Sequence, residues 1–174
     1  MRIRATLSAF ALVGIVAANA EAQQKPMEFG IDAQAAFGLD DQGSNFAIPA
    51  QKIRAGFQIS PVMSIEPSLG FNRGSFAGSS SSQTSIDVSL LYHFSADRAV
   101  NQWYVRPVIG LQRISFGGEL EGSNTDMNIG VAGGLKIPLL NQVGARVEAE
   151  FRNYMSDPSV SALNLNFGLS YVTR

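Results

Sequence analysis

The stretch Val143–Arg152 reads Val-Gly-Ala-Arg-Val-Glu-Ala-Glu-Phe-Arg, and apolar residues alternate in it with glycine or charged residues. Every second side chain of a β-strand points to the same face, so this stretch predicts a strand with one apolar and one polar face. Its ten residues suit a tilted membrane-crossing strand, which needs about 9–11 residues, whereas a soluble strand has about 5–6.

Seven further segments show the same alternation, and almost no helical spacing occurs after Gln23. Their apolar positions span Met27–Leu39, Ile53–Ile59, Met63–Phe71, Ile86–Phe94, Trp103–Leu111, Met127–Ile137 and Leu163–Tyr171. Eight is the smallest common strand number of outer-membrane barrels. The pattern therefore predicts an all-β fold, an eight-stranded antiparallel up-and-down transmembrane β-barrel.

Composition agrees with an all-β chain that meets lipid. Of the 174 residues 45% are apolar but only 16% are charged, against about 25% charged in an ordinary soluble domain. No apolar run approaches the roughly 18 residues of a membrane helix. The chain has no cysteine and one histidine, which excludes disulfides and thiolate or multi-histidine metal sites. With a net charge of −1 we expect no nucleic-acid partner. The sequence has no phosphate-binding glycine loop, and we expect no cofactor.

The amino terminus has the organisation of a secretory signal. Arg2 and Arg4 precede the apolar run Ala5–Ala18, and Ala20-Glu21-Ala22 has small residues at the positions required for cleavage. We predict a signal peptide at residues 1–22 and a barrel domain at residues 23–174, exported to the outer membrane of a bacterium. An uncleaved helical anchor is the alternative.

The polar face of the segments combines glycines with long charged side chains, which suits the crowded interior of an eight-stranded barrel. Buried charges persist when they are paired. We therefore predict a web of ion pairs that fills the lumen. Its members are Glu28, Asp32, Lys52, Arg54, Glu66, Asp87, Arg106, Asp126, Lys136, Arg146, Glu148, Glu150 and Arg152. The alternatives are a conducting path through the lumen and a carboxylate pair for acid–base catalysis.

The links between segments alternate in character. Polar links rich in Gly and Ser are predicted at Asp40–Asn45, Arg73–Thr84, Ser115–Thr125 and Met155–Ala162, and Ser79–Ser82 is predicted to be a flexible loop tip. The links at Ser60-Pro61 and Pro138–Gln142 are tight, although Ser95–Gln102 is longer. Outer-membrane barrels have long outer loops and short periplasmic turns, so the amino terminus is predicted to be periplasmic.

Aromatic residues are expected at both membrane interfaces. One belt would hold Phe29, Tyr92, Phe94, Trp103 and Tyr171, and the other Phe37, Phe46, Phe71, Phe116, Phe151 and Tyr154. A soluble barrel with these residues in its core is the alternative. Pro67 and Pro107 lie inside predicted strands, where proline cannot donate to the ladder, so we expect a rim position or a bulge there.

Three stretches resemble a known family. They are Phe151–Tyr154, Asn128–Lys136 and Asn166–Tyr171, and they are similar to outer-membrane β-barrel domains of the OmpA/OmpX and opacity-protein type. The resemblance implies contact with membrane lipid and lipopolysaccharide, and assembly by periplasmic chaperones and the barrel-insertion machinery. In that family the last strand carries the insertion signal. Gly168 and Tyr171 match this signal, whereas Thr173 stands where a last aromatic is expected.

Two local motifs resemble sites of known chemistry. His93-Phe94-Ser95 has the His-x-Ser spacing of some outer-membrane lipid A deacylases, but the predicted topology places it at the periplasmic rim. Asp40–Asn45 carries oxygen ligands that suggest calcium, yet an Asx-type turn fits its length better. We therefore predict a non-enzymatic protein with a structural or surface-interaction role and an unidentified partner at its outer loops. The alternatives are a small pore, a lipid-modifying enzyme and a soluble ligand-binding barrel.

Overall fold

A computed structural model describes residues 26–39, 47–76, 79–117 and 122–173, and these form eight strands. The strands are β1 (Met27–Gly38), β2 (Ala47–Ser60), β3 (Met63–Phe76), β4 (Ser79–His93), β5 (Gln102–Gly117), β6 (Gly122–Pro138), β7 (Val143–Tyr154) and β8 (Val160–Val172). No described segment is a helix of the length and hydropathy that crossing a bilayer would require.

The eight strands form one closed barrel in which each strand pairs antiparallel with the next. Pairing of β1 with β8 closes the barrel and runs from Glu28↔Val172 to Gly38↔Ala162. The predicted fold class is therefore confirmed. The predicted signal peptide lies outside the described residues.

The period-two pattern determines which side chains face inward. In β7 the side chains of Arg146, Glu148, Glu150 and Arg152 are buried in the lumen, whereas those between them are exposed on the outer surface. In β5 Trp103 is 62% exposed, and the residues on either side of it are buried. The barrel is thus apolar outside and polar inside, which is the arrangement of a barrel that lipid surrounds.

Two predicted loops are much shorter in the structure. β3 continues to Phe76 and β4 begins at Ser79, so most of the predicted loop Arg73–Thr84 is strand and Ser79–Ser82 is not a flexible tip. β5 and β6 likewise extend into Ser115–Thr125. The link at residues 94–101 is as long as the one at residues 39–46. Link length alone therefore does not distinguish the two ends of this barrel.

The extended ends of β3–β6 form a four-stranded sheet beyond the rest of the barrel. Pairing of β2 with β3 ends at Gln51↔Phe71, and the ladder between β6 and β7 begins at Asn128↔Tyr154. Within the described chain, residues 72–76 of β3 therefore form no pairs with β2, and residues 122–126 of β6 form none with β7. We call this part, residues 72–76, 79–83, 113–117 and 122–126, the outer sheet.

Each of the two strand prolines interrupts the ladder on one side only. Pro67 pairs with Val88 of β4, but on its β2 side the register passes directly from Arg54↔Ser68 to Phe57↔Ile65. Pro107 pairs with Val131 of β6, and a gap of the same length separates it from β4. The missing N–H of each proline thus coincides with a short gap in the ladder to one neighbouring strand. Neither proline lies at a strand end.

The aromatic belts are partly as predicted. Phe29, Trp103 and Tyr171 are exposed on the outer surface near one rim, and Phe71 is exposed near the other. Tyr154 was wrongly assigned to the outer belt. It falls at an inward position of β7, two residues after Arg152, and is half-buried. Phe46 lies outside the described residues.

Candidate functional site

The lumen contains a connected network of ion pairs. Twelve of the thirteen residues that the sequence singles out take part, and the structure shows eleven pairs among them. The cations are Lys52, Arg54, Arg106, Lys136, Arg146 and Arg152, and the anions are Glu28, Asp32, Glu66, Asp87, Glu148 and Glu150. Six positive and six negative groups leave this set with no net charge.

The pairs form a single path along the barrel. At the end near the 139–142 turn, Lys136 contacts Glu28 at 2.6 Å, and Glu28 contacts Arg54 at 2.8 Å. Arg54 also binds Asp32, and it lies 3.4 Å from Glu66. These contacts occupy the half of the lumen that lies next to the 139–142 turn.

The path continues toward the outer sheet. Glu66 binds Arg146 at 2.8 Å, and Arg146 binds Glu148. Arg106 bridges Glu148 and Glu150 at 2.6 and 2.7 Å. A last group follows, in which Arg152 joins Glu150 to Asp87 and Asp87 binds Lys52 at 3.0 Å. Every cation has at least one anion within ion-pair distance.

Glu148 is the centre of the network. Its carboxylate accepts hydrogen bonds from Arg106 through two nitrogens, and from Arg146 through Nη2, at 2.6–2.7 Å. The Tyr104 hydroxyl and Asn166 Nδ2 each donate a further bond of 2.7 Å. Its side chain has no solvent exposure. Five donors therefore satisfy one carboxylate, as a buried charge requires.

The Arg54 guanidinium occupies space that is free because residue 30 is a glycine. Its guanidinium donates to Asp32, Glu28 and Glu66, and it lies against Gly30 of the neighbouring strand. A β-carbon at Gly30 would overlap the Arg54 guanidinium. Gly168 stands in the same relation to Asp32. The glycines on the polar face thus leave the space in which the charged groups lie.

The network also includes several uncharged residues that are not among the thirteen predicted members. Tyr104 is 1% exposed, and it donates to Glu148 while accepting from Arg146 Nε at 2.6 Å. The Arg146 guanidinium also lies 5.0 Å from the centre of the Tyr104 ring. Asn128, Asn164 and Asn166 are likewise buried and donate to or accept from charged partners. All four lie at inward positions, which the alternation predicts.

Asp126 is separate from the network. It falls on an inward position of β6 opposite Gln112, but at the level of the outer sheet. Its carboxylate accepts hydrogen bonds from Asn124 at 2.9 and 3.0 Å. Among the described residues no cation pairs with it. The suggested calcium ligands at Asp40–Asn45 lie outside the described residues.

A cavity of about 100 Å³ opens at the end that carries the links 61–62, 94–101 and 139–142. Glu28, His93, Gln102 and Lys136 line it, together with turn residues such as Arg98. The His93 ring is turned into the barrel, with its centre 6.0 Å from that of Tyr104. Glu28 and Lys136, which form an ion pair of 2.6 Å, are the members of the network that line this cavity. His93 therefore does not meet the lipid-facing surface.

Comparison with known proteins identifies this arrangement. The family model described as outer membrane protein beta-barrel domain matches residues 8–172. The chain belongs to this family. Membership of this family places the chain in the bacterial outer membrane, with its apolar outer surface in contact with lipid. A search of curated proteins found no sequence match.

Solved outer-membrane barrels share the fold of this family member. Neisserial surface protein A matches with a TM-score of 0.71 and 17% identity, over 84% of this chain and 98% of that one. Ail of Yersinia pestis gives 0.59 and 11%, over 85% and 98%. The N-terminal barrel of Pseudomonas aeruginosa OprF gives 0.58 and 16%, over 83% and 97%. Identities this low show a common fold and nothing further.

Proposed function

We propose that this protein is a non-enzymatic outer-membrane anchor with a closed lumen, which presents the outer sheet to a partner outside the cell. The observation that carries the proposal is the ion-pair path through the lumen. Six cations and six anions, all but two of them less than 10% exposed in their side chains, occupy the interior from one end to the other.

The closed state follows from the cost of separating these groups. Removing the partner of a buried charge costs about 3–5 kcal/mol. Opening a continuous water path would separate several pairs at once, because ten of the eleven contacts are linked in series. Since the interior holds the network, the surfaces available to a partner are those outside the barrel.

The outer sheet is the best candidate for that surface. Unpaired strand edges can hydrogen-bond to another chain by strand addition. Among the residues that the structure describes, no strand pairs with the outer side of residues 72–76 or of residues 122–126, so these are two candidate edges. Among proteins of the same fold, Ail is described as an attachment invasion locus protein, and one structure holds it with the heparin analogue sucrose octasulfate. Attachment is therefore a role that this fold can serve.

The lumen is tested by conductance. The protein, refolded and shown to resist SDS until it is heated, is inserted into planar bilayers. We expect no steady current. A reproducible open conductance from the unaltered protein would replace the anchor by a pore.

The orientation is tested on intact cells. An epitope inserted between Ala77 and Gly78, in the link from β3 to β4, should be accessible to antibody without permeabilisation. The same epitope after Leu140, in the turn from β6 to β7, should require permeabilisation. The reverse labelling would place the outer sheet in the periplasm and contradict the proposed display.

Assembly by periplasmic chaperones and the barrel-insertion machinery is part of the same proposal. It is supported by the family membership and by the strand β8, which ends with the seam to β1. Depletion of the insertion machinery should leave the protein unfolded and fully sensitive to protease.

A further inference from the structure

The cavity of about 100 Å³ next to the 139–142 turn combines charged and apolar walls. The charged residues that line it are Glu28, Arg98 and Lys136, which are one negative and two positive groups. Its apolar wall includes Val100 and Leu140 of the links, and both side chains are exposed. In the proposed orientation the cavity opens toward the periplasm, and the role proposed for the outer sheet does not involve it.

The carboxylate of Glu28 already has a cation on each of its oxygens. Arg54 Nη1 donates to Glu28 Oε1 at 2.8 Å, and Lys136 Nζ donates to Glu28 Oε2 at 2.6 Å. A cation that entered the cavity would have to compete with both of these buried partners. Since Glu28 is the only carboxylate among the lining residues that the structure describes, the cavity is poorly suited to a cationic ligand.

The two cations of the cavity retain N–H groups that can donate to a ligand. An ammonium group has three donors, and Glu28 is the one hydrogen-bond acceptor of Lys136 within the described part of the chain. A guanidinium has five donors, and Arg98 donates through Nη2 to Gln58 Oε1 at 2.9 Å. Its neighbour Asp97 accepts from an amide of its own link and does not line the cavity. Two cations and one anion give the cavity a net charge of +1, which suits a ligand with one negative charge.

The size of the cavity and its apolar wall restrict the ligand further. A cavity needs about 10–15 Å³ to hold one water molecule, so a cavity of about 100 Å³ admits a group of several non-hydrogen atoms. Small-molecule sites combine apolar walls with a few polar groups that fix the orientation of the ligand. Inorganic phosphate has no part that would lie against Val100 and Leu140. A short apolar chain that ends in a carboxylate has both the single charge and the apolar part.

From this arrangement we propose that the cavity binds the carboxylate end of a short organic molecule. The carboxylate accepts charge-assisted hydrogen bonds from Lys136 and Arg98, and the apolar part lies against Val100 and Leu140. A free short-chain carboxylate and the carboxyl terminus of a peptide both present this chemistry. The inference goes beyond the proposed anchor role, and it depends neither on the partner of the outer sheet nor on whether the lumen conducts.

The test uses the folded barrel in detergent micelles and follows the backbone amide signals of the cavity residues Gln102 and Gly144 by NMR during titration. The probes are butyrate, butyramide, N-acetyl-trialanine, the carboxyl-terminal amide of that peptide, and inorganic phosphate. The two amides keep the shape of the acids but lose the negative charge. We expect each amide to bind about tenfold more weakly than its acid, because a hydrogen bond to a charged group is the stronger one.

The probes also distinguish the two sources of the carboxylate. Tighter binding of butyrate would assign the cavity to free carboxylates, and tighter binding of the peptide acid would assign it to chain ends. Equal affinities for acids and amides would overturn the proposal, as would failure of both acids to bind. Inorganic phosphate that binds more tightly than either acid would overturn it too, since the apolar wall would then have no part in recognition.

Two variants remove the cations of the cavity, and each has a matched control. Lys136→Met should lower the affinity for the acid by about ten- to a hundredfold, since it removes a charge-assisted donor. Arg98→Gln removes an exposed charge and should lower it by up to about fivefold. Lys52→Met makes the lysine-to-methionine change in the far half of the network, and Arg113→Gln removes an exposed arginine at the opposite end of the barrel. Both controls should bind the acid as the native protein does.

Binding is separated from folding by the heat-dependent shift on SDS gels. Lys136→Met leaves Glu28 with Arg54 as its cation, so each variant is titrated only after it shows the native shift. If Lys136→Met does not fold, the comparison of acids with amides and the affinity of Arg98→Gln decide the question. Equal weakening by folded Lys136→Met and folded Lys52→Met would point to a loosened network and overturn the proposal. Native affinity in the folded double variant of Arg98 and Lys136 would overturn it as well.

Discussion

The central position of Glu148 makes a sharp prediction about stability. Glu148→Gln keeps the size of the side chain but removes its charge and presents an amide NH2 to neighbours that are donors. Arg106 and Arg146 would each retain one carboxylate, Glu150 and Glu66 respectively. Breaking a buried pair by removal of one partner costs about 3–5 kcal/mol. With a urea dependence of about 2 kcal/mol per M, the unfolding midpoint should fall by about 1.5–2.5 M.

The matched control is Asp126→Asn, which makes the same carboxylate-to-amide change on an inward position outside the network. Its hydrogen-bond partner in the structure is Asn124, so the free energy of unfolding of Asp126→Asn should differ from that of the native protein by less than about 0.5 kcal/mol. Midpoints are read from the heat-modifiable band of each variant after equilibration of the protein in lipid vesicles with urea. Equal midpoints for the two variants would refute the idea that the network holds the barrel together.

Two further predictions concern packing inside and outside the barrel. Gly30→Ala should destabilise by about 1–3 kcal/mol, the usual cost of overpacking, because its β-carbon overlaps the Arg54 guanidinium. Gly133→Ala should be neutral, because its β-carbon would make only an ordinary contact, 4.0 Å from the Tyr104 carbonyl oxygen. Urea midpoints measure both, and equal values would contradict the close packing at Gly30. Ile109→Arg places a charge in the middle of the apolar band and should cost about 2–4 kcal/mol, while Ile109→Leu should assemble normally. Assembly of Ile109→Arg at the native yield would mean that this face does not meet lipid.

The alternation of residues was sufficient to predict the fold and the face on which each charge lies. It did not predict which charges meet. Arg106 of β5 binds Glu148 of β7, two strands away, and Lys136 binds Glu28 at a separation of 108 residues. Such contacts depend on the height of each residue in the barrel, which the register and stagger of all eight strands determine together. Period-two spacing predicts the face on which a side chain lies, but it does not predict the position of that side chain along the barrel axis.

The outer sheet shows a second limit of the sequence pattern. Ser79–Ser82 has polar residues at every position, so it predicts a loop, but the structure places it in β4, paired with β3. A strand that extends beyond the lipid has water on both faces, and the contrast between apolar and polar positions disappears. Strand pairing can continue there without the signal that reveals strands elsewhere. The prediction that Asp126 belongs to the lumen network is wrong for a related reason. The alternation places Asp126 on the inward face, but it does not show that the residue lies at the level of the outer sheet.

The seam between β1 and β8 ends in a residue that departs from the family pattern. Thr173 N–H donates to the Met27 carbonyl at 2.8 Å, and Met27 N–H donates to Thr173 Oγ1 at 2.9 Å. The threonine side chain thus continues the closure of the barrel by one residue beyond the strand. The family resemblance implies an aromatic side chain at this place for recognition by the insertion machinery.

These two roles predict opposite effects that a pair of variants can separate. Thr173→Val removes only the Oγ1 acceptor and should lower stability by about 0.5–1.5 kcal/mol. Thr173→Phe removes the same acceptor but restores the aromatic, so it should unfold at a similar urea concentration to Thr173→Val while folding faster in proteoliposomes that contain the insertion machinery. Folding is followed by the heat-dependent shift on SDS gels, with protein-free liposomes as the control. If Thr173→Phe folds no faster than Thr173→Val with the machinery present, the aromatic is not part of the signal in this chain, and the hydrogen bond at the seam is sufficient reason for the threonine.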